Sequence, residues 1–263
     1  FLCWLTGQLA VDENNTTAVM ATSFYDCGYL HSTLMVNAFT ASGGNIVYNY
    51  VNNQLYNEHF HINELSSFLE TNEDANKLLC IYDSLPASLF YKQLHSFKPA
   101  ERLQLYVSPM MLEANALENS DGGFPFSIDG YSPWMPNSEE SANREFINIY
   151  AQQNKTATIF SLLGWETGLI LQQVFLISNN STANTSSIVE QLISHPINSP
   201  RGKMNLNIDT HCYLAPFVKC SLSKYEQKLT TDFLQMQDSE WKQFTNNQIT
   251  GVVSGWTNTY LCY

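Results

Sequence analysis

SPRGKMNLNIDTH (Ser199–His211) is followed by an apolar stretch over Tyr213–Val218. Pro200 and Gly202 favour a tight turn, the next residues favour a short strand, and Asp209-Thr210 favours a second turn. The sequence therefore predicts turn, strand, turn and strand in this late part of the chain.

Four short, β-prone apolar runs precede this stretch, starting at residues 17, 45, 77 and 103. They are TAVMAT (Thr17–Thr22), NIVYNYV (Asn45–Val51), KLLCIYD (Lys77–Asp83) and LQLYVS (Leu103–Ser108). Helix-like segments lie between them, at about Tyr29–Ser42, Ile62–Glu70 and Pro86–Phe97. The alternation predicts an α/β fold in which a parallel sheet carries helices on both faces.

Three further helices are predicted after this alternation ends. A capping pattern at Asn137–Glu140 starts a helix that runs to about Gln153. The second, about Ile159–Ile177, is apolar almost all round, so we expect it to be buried. The third, about Ser186–Ser194, leads into the stretch quoted above.

Composition limits the partners of the chain. Hydrophobic residues make up 44%, which suffices for a core, whereas charged residues make up only 14% and the net charge is −12. A negative surface disfavours nucleic acid and anionic membranes. No apolar run approaches the ~20 residues of a membrane span, so the chain is expected not to be membrane-embedded. It begins at Phe1 with no visible signal, so a signal removed upstream and a fragment both stay open.

Four motifs, in this order, resemble the type I periplasmic binding proteins, which include receptors for branched-chain amino acids, amides and urea. They are the loop Ser23–Gly28 after the first strand, Ala41-Ser42-Gly43-Gly44, Gly164-Trp165-Glu166-Thr167-Gly168, and the Pro200-Arg201-Gly202 turn. The resemblance reaches to about residue 221. It implies the type I fold with one lobe incomplete, because the family opens with a half-lobe for which residues 1–16 leave no room.

The resemblance also implies a division of the chain. Residues 1–129 would form an α/β lobe like the family's second lobe, and residues 130–198 a helical segment of the other lobe. Residues 199–225 would hold the crossover turn and strands, and residues 226–263 a C-terminal extension.

The predicted ligand site lies beyond the carboxyl ends of the strands, where parallel α/β sheets bind ligands. That rule selects the loops Ser23–Gly28, Asp83–Leu85 and Ser108–Met111, and helix N-termini after such loops suit a carboxylate. The resemblance selects the same loops, and it implies as ligand-binding residues Ser23, Tyr25, Cys27, Asp83, Ser84 and Met110. Asp83 has an alternative interpretation as a helix N-cap.

By this resemblance the chain is a non-enzymatic, extracytoplasmic solute-binding protein of an ABC transporter, without cofactor or metal. It would enclose a small polar ligand, amino-acid-like or amide-like, between lobes. An ABC-type permease would be its partner, and its location would be periplasmic or extracellular. A protein-interaction or sensor domain of the same fold is the alternative.

Cys27 and His31 support a competing hypothesis, because side chains four residues apart meet on one helical turn. A Cys–His pair can act as nucleophile and base. No third orienting group accompanies the pair, so a loop cysteine and a surface histidine is the simpler interpretation.

Two further clusters have both functional and structural interpretations. Glu58, His59, His61 and Glu64 could hold Zn²⁺, or they form a polar loop that enters a helix. Four aromatic residues could meet a partner protein, or they pack in the core or hinge. They are Phe124, Phe126, Tyr131 and Trp134.

Overall fold

The computed structural model describes residues 1–12, 16–24, 26–52, 60–118, 123–179 and 184–250, without the side chains of residues 26–29, 84 and 247–250. The chain divides into two compact units. Unit 1 comprises Phe1–Ser132, Lys219–Asp232 and Asp238–Tyr263, and unit 2 comprises Pro133–Val218 and Phe233–Gln237.

The larger sheet has seven strands in the order β10-β9-β5-β4-β3-β1-β2. The strands are β1 Thr17–Ser23, β2 Asn45–Asn52, β3 Lys77–Ile81, β4 Gln104–Val107, β5 Ser127–Ser132, β9 Phe217–Leu222 and β10 Thr230–Leu234. The pairs β1–β2, β1–β3, β3–β4 and β4–β5 are all parallel. The predicted α/β fold with a parallel sheet is confirmed.

Continuous apolar sequence in β1 and β3 reflects burial on both faces of the sheet. Every residue of β3 is buried, and so is every residue of β1 after Thr17. Met20, Leu79 and Ile81 form one core cluster with Met35 and other residues of the flanking helices. Each fully buried side chain of this kind contributes about 1.5–3 kcal/mol to folding.

Unit 1 also contains six α-helices in its described residues. They are α1 Leu2–Leu9, α2 Asp26–Ala41, α3 Asn63–Thr71, α4 Ser84–His95, α5 Ala114–Leu117 and α9 Asp238–Thr250. The last of them belongs to the predicted C-terminal extension, and its Phe244 contacts Trp4 of α1 edge to face with ring centroids 5.7 Å apart. Lys77, the buried first residue of β3, donates to the carbonyl of Ala10 (2.9 Å) and pairs with Asp12 (2.5 Å).

In its described residues, unit 2 combines three helices with a small antiparallel sheet of order β6-β7-β8. Its elements are α6 Ser141–Gln152, α7 Ile159–Asn179, α8 Thr185–Ser194, β6 Ile197–Ser199, β7 Gly202–Asn207 and β8 Cys212–Leu214. The predicted turn, strand and turn are therefore present. The single strand expected over Tyr213–Val218 is wrong: β8 ends at Leu214 and β9 begins at Phe217, on either side of Pro216, which has no N–H for a sheet ladder.

A buried ion pair joins two of the sequence motifs of unit 2. Arg201 donates to both carboxylate oxygens of Glu166, from Nε at 2.7 Å and from Nη2 at 2.8 Å. The Ser199 hydroxyl donates to the same carboxylate at 2.5 Å. Gly202 follows with φ of 111°, and a Cβ there would lie 2.9 Å from Pro216 Cγ. The Pro200-Arg201-Gly202 turn is thus explained by packing within the unit.

The expectation that the second late helix is buried is wrong for much of α7. Its buried residues are Ile159, Leu162, Glu166 and Ile177. Its exposed large apolar residues are Phe160, Leu163, Leu171, Phe175 and Leu176. By length and composition α7 could cross a membrane, which is weak evidence because core helices of soluble proteins pass the same test.

Candidate ligand-binding site

The carboxyl ends of neighbouring parallel strands in unit 1 form the candidate site. Because β4, β3, β1 and β2 are adjacent and parallel, the segments that follow them lie along one edge of the sheet. This edge carries Ser23 and Asn52 at the ends of β1 and β2, Asp83 after β3, and Ser108 after β4. Of the predicted site residues, the structure therefore brings Ser23, Asp83 and the segment that contains Met110 to one edge.

Ser23 is tied to a residue that sequence reasoning missed. The Ser23 hydroxyl donates to Asn52 Oδ1 at 3.2 Å, and the Phe24 N–H donates to the Asn52 carbonyl at 2.9 Å. Asn52 Nδ2 is buried and has no hydrogen-bond partner among the described residues. A buried donor without an acceptor costs about 1–3 kcal/mol, so Nδ2 is suited to meet an acceptor atom of a ligand. Asn52 directly follows the second predicted strand, Asn45–Val51, but its contact with Ser23 depends on strand pairing that the sequence does not show.

Asp83 occupies the N-cap position of α4 in extended conformation, and its carbonyl accepts from the Ala87 N–H at 3.2 Å. Its carboxylate makes no capping hydrogen bond. The N-cap interpretation is therefore right for the backbone, whereas the side chain does not perform the capping that would account for an aspartate.

His31, in the second turn of α2, is the titratable group whose charge interacts with Asp83. Burial lowers the pKa of His31, the Phe1 amino group lowers it further, and the Asp83 carboxylate opposes both. Its Nδ1 is buried without a hydrogen-bond partner among the described residues. The folded state therefore favours the neutral imidazole.

The segment after β4 forms an apolar part of this edge. The Ser108 hydroxyl is buried and donates to the Tyr82 carbonyl at 3.2 Å. Met110 lies in the 3₁₀-helix Pro109–Leu112 and is only 8% exposed, while Met111 is fully buried. Met110 therefore offers a small apolar surface and no charge.

Three predicted site residues lie wholly or partly outside the described residues. Tyr25 is outside them. Cys27 lies in the first turn of α2 and Ser84 is the first residue of α4, but their side chains are not described. The structure consequently leaves the roles of these three residues, and the Cys27–His31 pair, as predictions.

The structure describes two of the four residues of the candidate zinc cluster. Glu58 and His59 lie outside the described residues, while His61 and Glu64 are exposed. Among the residues that the structure describes, no group of three His, Cys, Asp or Glu side chains is placed to hold a metal ion.

The four aromatic residues do not form one exposed surface. Phe124 and Phe126 are buried in unit 1, where their rings stack with centroids 5.1 Å apart. Trp134 is buried in unit 2 against Phe146 and donates from Nε1 to Asn143 Oδ1 at 2.8 Å. The core-packing interpretation is right for these three residues, and Tyr131 is half-buried in β5.

A groove of about 700 Å³ lies in unit 2. It is lined by the segment that leads into α6, including Glu139 and Glu140, and by Arg201, Phe233 and Leu234. The guanidinium of Arg201 is already engaged by Glu166, and the groove combines acidic with apolar side chains. We favour the sheet edge of unit 1 as the site, because within the described part of the chain it has a buried donor without an acceptor and the position typical of ligand crevices.

Comparison with known proteins identifies the fold class. No protein-family model matches the chain, and no curated protein matches its sequence. Solved structures do match, and they are type I periplasmic solute-binding proteins of ABC transporters. The chain therefore has the type I periplasmic-binding fold, as the sequence motifs predicted.

Three of these structures come from Rhodopseudomonas palustris. A solute-binding protein in complex with benzoate is 16% identical, with a TM-score of 0.67 over 90% of this chain and 64% of that one. One in complex with 3,4-dihydroxybenzoic acid is 15% identical, with a TM-score of 0.70 over 91% and 66%. A branched-chain amino acid transporter protein is 13% identical, with a TM-score of 0.60 over 89% and 64%. This chain thus spans just under two thirds of the length of each.

Proposed function

We propose that this chain binds a small organic carboxylate at the carboxyl edge of the sheet in unit 1, as the receptor component of an ABC-type transporter. The observation that carries the proposal is the buried Asn52 Nδ2, which has no hydrogen-bond partner among the described residues and lies at the edge where this fold class binds solutes. The fold similarity to solute-binding proteins supports the same conclusion. An ABC-type permease as partner and a periplasmic or extracellular location are parts of the proposal.

The chemistry of the edge supports a carboxylate. The N-termini of α2 and α4 follow β1 and β3, and helix N-termini present free N–H groups and a positive dipole end. Asn52 Nδ2 adds a donor, and Met110 adds apolar contact for a ring or an aliphatic side chain. Two of the similar structures are complexes with benzoates, and a third is described as a branched-chain amino acid transporter. Benzoates and amino acids both carry the carboxylate for which we argue.

Asp83 distinguishes an amino acid from a benzoate. In an amino acid complex its carboxylate would accept from the ligand ammonium, whereas a benzoate offers it no cation. Ligand binding would shift the population of hinge-closed molecules, which is how two-lobed receptors signal occupancy. The proposed function is binding alone, without a catalytic step.

Thermal unfolding with a defined panel tests the proposal. Benzoate, 3,4-dihydroxybenzoate and leucine are added up to millimolar concentration. At a hundred times its Kd a ligand stabilises the folded state by about 2.7 kcal/mol, which raises Tm by roughly 5–10 °C for a domain of this size. Asn52→Ala should abolish most of the shift, while Asn72→Ala, at an exposed asparagine after α3, should retain it. If no compound raises Tm by more than 1 °C, the proposed ligand class is wrong.

A sensor or protein-interaction domain is the second candidate function, and the exposed apolar side chains of α7 favour it. A Cys27-dependent enzyme remains a weaker hypothesis, which thiol labelling tests. Rapid modification of Cys27 that His31→Ala slows, with a thiol pKa well below ~8.5, would support catalysis against our proposal.

A further inference from the structure

The groove of unit 2 contains two carboxylates that no described residue neutralises. Its lining is made of residues 137–141, Arg201, Pro216 and residues 233–235. Glu139 and Glu140 are exposed, and neither carboxylate has a hydrogen bond or ion pair with a described residue. Arg201 is the only cation among the described lining residues, and its guanidinium is occupied by Glu166 at 2.7 and 2.8 Å. These lining residues therefore present two uncompensated negative charges.

Glu140 holds one of these carboxylates beside the turn that contains Arg201. Its Oε1 lies 3.8 Å from the position that a Cβ on Gly202 would occupy, and the same Cβ would lie 2.9 Å from Pro216 Cγ. Glu140 is the N-cap residue of α6, but its side chain makes no capping hydrogen bond. The helix dipole favours an acidic residue at the start of a helix, which gives Glu140 a structural role without a ligand. That role does not account for the position of Oε1 next to Gly202, where no described donor meets it.

A buried hydroxyl in the lining has unused hydrogen-bonding capacity. Ser138 is only 8% exposed, and it lines the groove beside the two glutamates. Its Oγ accepts from the Glu140 N–H at 3.5 Å, and its hydroxyl donates to no described residue. A hydroxyl has one donor and two acceptor lone pairs, so Ser138 Oγ keeps a lone pair for a further donor. Buried polar groups normally have their partners, and the partner still missing at Ser138 would come from the groove.

Two consecutive apolar residues of β10 complete the lining. Phe233 is 51% exposed and Leu234 37% exposed, so both side chains offer apolar surface to an occupant of the groove. The face of a phenylalanine ring also attracts a cation within about 6 Å of its centroid. The groove volume of about 700 Å³ is within the range of sites that bind small molecules, roughly 300–1,000 Å³. Negative charge beside apolar surface favours an occupant that is positive at one end and apolar at the other.

We propose that the groove of unit 2 binds a small organic ammonium compound with an apolar part. The ammonium group would donate to the carboxylates of Glu139 and Glu140 and to Ser138 Oγ, and the apolar part would contact Phe233 and Leu234. An anionic compound would meet two carboxylates and no available cation, because Arg201 is occupied by Glu166. This site lies in the other unit from the proposed carboxylate site and takes the opposite charge, so the two sites can be tested separately.

Calorimetric titration of the 263-residue chain with three probes of similar shape tests the charge preference. The probes are 2-phenylethylamine, the neutral 2-phenylethanol and the anion 3-phenylpropionate, each added up to 10 mM. Exposed ion pairs change affinity by a few fold each, so the amine should bind about fivefold more tightly than the alcohol. The anion should bind more weakly than the alcohol. Raising NaCl from 20 to 300 mM should reduce the advantage of the amine, because salt screens exposed charges.

Matched variants locate the site. The double substitution Glu139→Gln and Glu140→Gln should weaken the amine about fivefold and leave the alcohol unchanged. Glu145→Gln, at an exposed glutamate of α6 outside the lining, should change neither affinity by more than about twofold. In the unsubstituted chain labelled with ¹⁵N at phenylalanine, the amine should shift the amide signal of Phe233, assigned from Phe233→Leu. This measurement does not depend on whether the glutamate variant folds.

Three results would overturn the proposal. An amine that binds no more tightly than the alcohol, or that leaves the Phe233 signal unmoved, would show that the groove does not select an ammonium group. Amine binding that Asp83→Asn removes and the double glutamate variant retains would assign the cation to the sheet edge of unit 1. A peptide such as acetyl-Ala-Phe-Lys-Ala-amide that binds at least tenfold more tightly than the amine would assign the groove to a basic polypeptide segment.

Discussion

Replacing Arg201 with methionine tests how unit 2 is held together. The variant removes two of the three donors to the Glu166 carboxylate, at 2.7 and 2.8 Å, and leaves only the Ser199 hydroxyl. The side chain of Glu166 is 7% exposed, so water cannot replace the lost donors. Removing one partner of a buried pair leaves an uncompensated charge, and we expect the free energy of unfolding of unit 2 to fall by about 3–5 kcal/mol.

The assay must report on unit 2 alone, because a chain of two units need not unfold in one step. Hydrogen exchange of the α7 amides provides that report. A loss of 3–5 kcal/mol corresponds to an increase of more than about 100-fold in the exchange rate of the slowest amides. Urea unfolding followed by tryptophan fluorescence provides an independent measurement.

Two controls separate the buried pair from a general effect of losing a cation. Arg144→Met removes an exposed arginine from α6 of the same unit and should change stability by less than about 0.5 kcal/mol. Combining Arg201→Met with Glu166→Leu removes both charges and should recover most of the loss, since apolar replacement of a whole buried pair is often neutral. If Arg201→Met and Arg144→Met have equal effects, the buried pair does not stabilise unit 2.

Three further predictions concern single residues. Lys77→Met should destabilise unit 1 by about 1–3 kcal/mol in urea unfolding, because it removes a donor from the carbonyl of buried Ala10, whereas exposed Lys92→Met should have little effect. Gly202→Ala should destabilise unit 2 by at least about 1 kcal/mol because of its φ of 111° and the contact with Pro216, whereas Gly164→Ala should be neutral or stabilising. Burial lowers the pKa of His31, so the folded state binds the imidazole proton less readily than the unfolded chain. The stability that His31 contributes is therefore fully present above about pH 6.5 and is lost as pH falls below it. His31→Asn should remove this dependence in unfolding measured between about pH 5 and 7.5.

The parallel sheet could be predicted because its strands are buried over their whole length. KLLCI in β3 and TAVMATS in β1 are continuous apolar or small-residue runs, which is the pattern of strands covered on both faces. The order of strands and helices along the chain then indicates the edge of the sheet at which parallel α/β folds bind ligands. Asn52 was missed because its role depends on the pairing of β1 with β2, which brings it beside Ser23 and which no local pattern reveals.

The buried ion pair explains why two motifs 35 residues apart occur together in this chain. Gly164–Gly168 contains Glu166, and the Pro200-Arg201-Gly202 turn contains its partner. A pattern search treats them as separate signals, although physically they are one contact that fixes a turn to a helix. Such a pair stabilises little compared with an apolar contact of equal volume, but it restricts the register in which the turn can dock.

Helix α7 shows why burial was wrongly predicted from the sequence. Most residues of α7 are apolar, and its single charged residue, Glu166, is paired with Arg201 on the side that packs within unit 2. A helix that is apolar on most of its circumference is typical of the interior of a protein, which is why burial was expected. The described residues cover one side, and the other side leaves Phe160, Leu171 and Phe175 in water. Apolar composition therefore predicts burial only on the side of α7 that meets another described element, and composition alone does not reveal which side that is.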